Sequence, residues 1–198
     1  MHKYNSTAQR HRVKHGRAAS LFVNNMPAYH SSFNEEPDVR QAGNMAILPI
    51  KTKIPDPDLA DIIDETLDLF RANSLFRNFE IKGPADRTLI VLILYVSDCL
   101  AKIGSARTVP TQIEASKSLN TLSVDNFPIP GDANFALNAH YAAPSSRQDS
   151  DYLRQYLVQV RQELAARLIE RLYADGTGKP SKWWMSFQKR RFMNRSLG

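Results

Sequence analysis

The eight residues Leu89-Ile-Val-Leu-Ile-Leu-Tyr-Val96 are apolar on every side, and this run constrains the chain more than any other feature. A helix that is hydrophobic all round has no face to offer water, so other elements must surround it. Its β-branched residues make a buried strand the competing form. The length from Ala85 to Ile103, with Asp98 and Lys102 near the end, favours a helix. Pro84 suits the first helical position and Gly104 lies just past the last, the usual punctuation of a helix. The run is also far short of the roughly 20 apolar residues needed to span a bilayer. The expected object is therefore the central helix, about 85–103, of a domain wrapped around it.

Eleven prolines mark what does the wrapping. They leave windows 58–83, 85–109, 111–127 and 145–179 free for helices of ordinary length. In the first, Asp56-Pro57 suits an N-cap followed by a first-position proline. Leu59, Ile63, Thr66, Leu67 and Phe70 then share one face, with Asp61, Asp64, Glu65 and Asp68 on the other. That pattern predicts an amphipathic helix over about 57–73. Its acidic face could meet a basic partner or a metal, but with no His or Cys ligand nearby a solvated surface is the expectation.

Residues 111–122 make a shorter, weaker helix. The longest runs from about Asp149 to Tyr173, striped by Leu153, Leu157, Val160, Leu164 and Leu168, with Glu163 and Arg167 at i,i+4. Gly176 and Gly178 follow where it should stop. A last helix starts at Ser181, and its spacing gathers Trp183, Trp184 and Phe187 on one side. Strand material is sparse, at Met45–Ile50 and Phe79–Lys82. The fold class is mainly α: one compact domain of about five helices around one central buried helix.

The chain of 198 residues carries a net charge of +6, a balance that invites a nucleic-acid or membrane-surface partner, depending on where the charge sits. It is very uneven. Residues 1–25 hold five bases and no acid, and residues 176–198 hold six bases and no acid. The remaining fifteen bases share residues 26–175 with all twenty acids. The chain is an acidic body with two basic ends. Residues 1–25 read as a basic, disordered N-terminal extension, only faintly like a transit peptide, and 26–198 as the domain.

Signals for catalysis are weak. Asp175-Gly-Thr-Gly-Lys179-Pro180 resembles a phosphate loop, but Tyr173 and Pro180 stand where that loop needs Gly and Ser or Thr, so a turn is expected. His11 and His15 have zinc-compatible spacing without a third ligand. Cys99 is the only cysteine, which excludes an intramolecular disulfide and fits a reducing cytosol. A nucleophilic pair of Cys99 with His140 would need a reactive thiol, yet Cys99 lies on the helix expected to be most buried. No catalytic residue, cofactor or metal is expected.

The C-terminal segment is more informative. Lys182, Lys189, Arg190, Arg191 and Arg195 interleave with aromatic residues and form a candidate patch for an acidic partner, either a protein surface or a phosphate backbone. Two function classes follow: a structural interaction protein, or a small basic nucleic-acid-binding protein.

Several motifs in one order sharpen the choice. Met26-Pro-Ala-Tyr-His-Ser-Ser32, Gly43-Asn-Met-Ala-Ile-Leu-Pro-Ile50, Ala85-Asp-Arg-Thr-Leu-Ile90, Asn126-Phe-Pro-Ile-Pro-Gly131, Leu137-Asn-Ala139, Lys179-Pro-Ser-Lys-Trp-Trp184 and Phe192-Met-Asn194 occur in sequence. Together they closely resemble the small 21 kDa subunit family of the actin-related protein 2/3 complex, over about residues 26–197. The resemblance implies a compact helical, non-catalytic subunit of an assembly that nucleates branched actin filaments from the sides of existing ones. It implies docking on actin-related protein 3, contact with the other subunits and the actin filament, and a place in the cytoplasmic actin cytoskeleton. Family members usually begin at the position of Met26, which makes 1–25 an addition. Gly83-Pro84 stands where a more polar pair is usual.

Overall fold

A computed structural model describes residues 29–51, 60–75, 79–190, 192 and 195. The basic N-terminal segment, His11, His15, Asp56-Pro57 and Arg191 lie outside the described residues. In chain order, a 3-10 turn (Ser32–Glu35) leads to a two-stranded antiparallel hairpin, β1 (Gln41–Ala42) and β2 (Met45–Ala46), paired Gln41 to Ala46 and Ala42 to Met45. Among the described residues five helices follow: α1 (Ile62–Asn73), α2 (Pro84–Gly104), α3 (Gln112–Val124), α4 (Arg147–Leu172) and α5 (Lys182–Met185). The fold is mainly α, as the windows between prolines predict.

The all-round apolar run is indeed the central helix. Fifteen of the twenty-one residues of α2 are buried, and it touches the 3-10 turn, β2 and all four other helices. Thr88 donates from its hydroxyl to the Ala46 carbonyl at 2.7 Å, so its one polar atom is satisfied by the hairpin. Gly83, the N-cap residue of α2, has no side chain to receive the first free N–H groups. Asn34 of the 3-10 turn substitutes, its Oδ1 accepting from the N–H of Ala85 at 3.1 Å and of Asp86 at 3.3 Å. A Cβ at residue 83 would press on that same Oδ1, so glycine lets Asn34 make this close approach.

The start of α1 differs from the sequence expectation. Asp61, not Asp56, is the N-cap: its carboxylate accepts from the N–H of Ile63 and Asp64, each at 3.0 Å. Of the predicted apolar face, Ile63, Thr66, Leu67 and Phe70 are buried and Leu59 lies outside the described residues; Ile62, not predicted, is buried with them. α3 is better anchored than its weak apolar pattern suggests. Thr111 and Glu114 form a reciprocal capping box, a Thr-x-x-Glu signal legible in the sequence. α4 runs antiparallel to α3, since Arg161 donates to the Leu122 carbonyl while Tyr173, a turn beyond Ile169, donates to that of Pro110. The strand expectations were too long: β2 covers only Met45–Ala46, and Phe79–Lys82 is not a strand because it pairs with no neighbour.

Candidate interaction surface

The acidic face of α1 is not the solvated surface expected of it. Asp61 is almost wholly buried, and Arg167 of α4 donates to both its oxygens at 2.8 and 2.9 Å. Arg167 also reaches Asp64 at 3.1 Å and Glu163 at 2.9 Å, the latter being the predicted i,i+4 pair. Arg171 pairs with Asp68. Burial alone would raise the Asp61 carboxyl; hydrogen bonds from Arg167 and from the N–H groups of Asp64 and Lys51 outweigh it and hold the group below the ordinary aspartate value. Glu65 completes the face differently. It accepts from the Ser31 hydroxyl at 2.6 Å and from both the N–H and hydroxyl of Ser32 at 2.7 Å.

That last contact gives the Tyr29-His-Ser-Ser32 motif a physical meaning. The Asn73 side-chain amide both donates to and accepts from the Tyr29 backbone, each at 3.0 Å. Buried Asp86 accepts from the Ser31 N–H at 2.8 Å and the Lys82 N–H at 2.9 Å, and contacts His30 Nδ1 at 2.8 Å. The segment is stitched along α1, from Asn73 at its last residue to Glu65 in its first turn, and to the N-terminal end of α2 through Asp86. It is structural.

Cys99 is fully buried, and burial pushes its thiol up to about 12, so it is not a nucleophile at neutral pH. His140 is exposed and its carbonyl accepts from Arg87 at 3.0 Å, near the start of α2. Cys99 lies twelve residues further along the same helix, about 18 Å at 1.5 Å per residue. The two cannot form a catalytic pair. The glycine-rich stretch is a turn, with Gly176 and Gly178 at φ 67 and 71° and Thr177 bonded to Asp175.

The C-terminal segment is a charged region that those contacts leave out. Ser181 donates its N–H to the Leu172 carbonyl at 2.8 Å, which turns the chain back from α4 into α5. Trp184 stacks on Phe70 of α1 with centroids 5.8 Å apart, and Phe187 meets Phe70 edge-on at 6.0 Å. Phe192 is fully buried against Phe79 at 5.7 Å. Such pairs add about 0.5–1.5 kcal/mol each beyond their area burial. The rings therefore pin the segment and leave Lys182, Lys189, Arg190 and Arg195 exposed. None of these four forms an ion pair among the described residues.

One ring departs from the expectation. α5 is only four residues long, and Trp183 does not join Trp184 and Phe187 inside; it is 71% exposed. With α5 ending at Met185, Trp184 takes the stacking position on Phe70 and Trp183 points away from it. The bonding of the whole surface is thus two layers: aromatic anchors beneath, cations and one indole above.

A family profile described as P21-Arc, ARP2/3 complex ARPC3 (21 kDa) subunit, matches residues 26–197. Actin-related protein 2/3 complex subunit 3 of Schizosaccharomyces pombe is 53% identical over 178 residues, covering 87% of this chain and 100% of that protein. The Saccharomyces cerevisiae protein of the same name is 50% identical over 181 residues, with 87% and 100% covered. That of Dictyostelium discoideum is 46% identical over 176 residues, with 85% and 99% covered.

Proposed function

This chain belongs to the ARPC3 (21 kDa) subunit family of the ARP2/3 complex, and from that premise we propose that it is an architectural subunit docking on actin-related protein 3 through its C-terminal basic surface. The family is one of complex subunits, a structural role and not an enzymatic one. Within the assembly the subunit helps to build a nucleator of branched actin filaments in the cytoplasmic actin cytoskeleton. Residues 26–198 are the working domain and 1–25 an addition to it.

The observation that carries the reading is the unpaired charge of Lys182, Lys189, Arg190 and Arg195, held on a frame fixed by Trp184, Phe187 and Phe192. Arg191 belongs to the same proposed patch by its place in the sequence. A rigid cationic surface speeds encounter with an acidic actin-family surface and rejects wrong orientations, while apolar anchors supply most of the affinity. Reversing Lys182→Glu together with Lys189→Glu should weaken co-purification with the other complex subunits and lower branch formation. Wild-type co-purification and branching by the double variant would refute the assignment. A saturable, steeply salt-dependent complex with an unrelated oligonucleotide would instead favour nucleic-acid binding.

A further inference from the structure

Trp183 is a large indole left in water beside an internal ring cluster that excludes it. Isolated exposed apolar residues are ordinary. The surroundings of this one are not. The Arg71 guanidinium lies 5.4 Å from the Trp183 ring centre and 5.6 Å from that of Phe187, while Arg190 lies 5.6 Å from Phe187 on its own account. Two guanidinium groups thus flank one ring, and neither pairs with a carboxylate among the described residues. Lys182, next to Trp183, is exposed as well. Leu75, four residues beyond Arg71 at the same end of α1, is 48% exposed. The surface is an aromatic knob in a cationic collar.

We propose that Trp183 is the anchor of the subunit interface, inserting into an apolar pocket with an acidic rim on the neighbouring subunit. This rests on the docking reading above and assigns to it the residue that supplies affinity. The physical case has two parts. Tryptophan and arginine are the residues whose truncation most often costs binding heavily, and they do so when a ring of other contacts shuts out water. The cations define the partner, because a pocket lined by neutral or basic groups would leave two or more desolvated cations unpaired. Arg71 is already held over the indole by cation–π attraction, so the knob is preorganised and loses little freedom on docking.

The two tryptophans provide an internal control, since the chain has no others. The subunit is produced with 5-fluorotryptophan and reconstituted with the remaining, unlabelled subunits of the complex, and Trp184→Phe assigns the two fluorine signals. The signal from Trp183 should lose its solvent-isotope shift on assembly, while that from Trp184, already stacked on Phe70, should not change. Trp183→Ala should weaken assembly about thirtyfold or more, with partial recovery in Trp183→Phe. Because the side chain is exposed, the melting curve of Trp183→Ala should match the parent, which separates lost docking from lost folding.

Three results would overturn the inference. If Trp183 stays solvent-accessible in the complex and Trp183→Ala assembles normally while Lys182→Glu with Lys189→Glu does not, docking on this face survives and the anchor fails. If neither variant affects assembly, both readings fail. If Trp183 becomes protected only when actin filaments are added, the pocket lies on the filament and not on a neighbouring subunit.

Discussion

The acidic flank of α1 and the basic flank of residues 182–195 look alike as charge runs, yet among the described residues only the first is neutralised by the chain's own side chains. Asp61, Asp64 and Asp68 are met by Arg167 and Arg171 of α4, and Glu65 by Ser31 and Ser32. Lys182, Lys189, Arg190 and Arg195 have no such partners among the described residues. The first set holds the fold together: α4, the chain before α1 and α1 itself meet at one carboxylate, Asp61, which also accepts from the Lys51 N–H at 3.0 Å. In the second set Arg190 lies 5.6 Å from the Phe187 ring centre, and none of the four bases meets a carboxylate among the described residues. The docking surface proposed above is the charge run that the described residues leave unpaired.

Breaking the internal set should cost stability. Arg167→Met leaves the buried Asp61 carboxylate without its cation, and removing one partner of a buried pair costs about 3 kcal/mol or more. A urea midpoint giving a loss below about 1 kcal/mol would show that the backbone donors alone sustain Asp61. The same variant carries a pH signature. The Asp61 carboxyl is held below its ordinary value, so its contribution is present above about pH 4, the unfolded value, and is lost as pH falls through the lower folded one. In Arg167→Met the hydrogen bonds and charge of Arg167 that oppose burial are gone, so less of this contribution exists for acid to remove. The stability gap between parent and variant should narrow below about pH 4; a constant gap would contradict the pairing.

Glu65→Ala is the next smaller break. It strips acceptors from Ser31 and Ser32, which should cost about 1–2 kcal/mol and speed amide exchange at Ser32 without touching the core. Unchanged exchange at Ser32 would mean that Asp86 and Asn73 hold the segment unaided.

Much of the fold was legible because hydrophobic period is a local signal. Leu89–Val96 announced a surrounded helix, and the stripe Leu153, Leu157, Val160, Leu164 and Leu168 announced α4; all five of these residues are buried. Tertiary pairing is not local. No pattern within 57–73 says that Arg167, more than ninety residues on, will occupy the acidic face, or that Asp61 will displace Asp56 as the cap. Glycine at position 83 likewise makes sense only beside Asn34.

In the candidate surface, the unpaired bases were legible as an acid-free run. The position of Trp183 was not, because its spacing fits a longer helix than the four residues that form. Ser181 occupies the N-cap position of α5, but its side chain makes no capping bond. With α5 so short, the rings are sorted by what α1 offers, and Phe70 has room for Trp184 and Phe187 only.

The most direct test of the central claim reads both properties of one variant, Lys182→Glu with Lys189→Glu. Unpaired surface charge contributes little to folding, so the unfolding free energy should stay within about 0.5 kcal/mol of the parent. Affinity for the remaining subunits of the complex should fall about tenfold or more. A variant that unfolds readily while binding as the parent does would show that these bases belong to the fold, and would contradict the account.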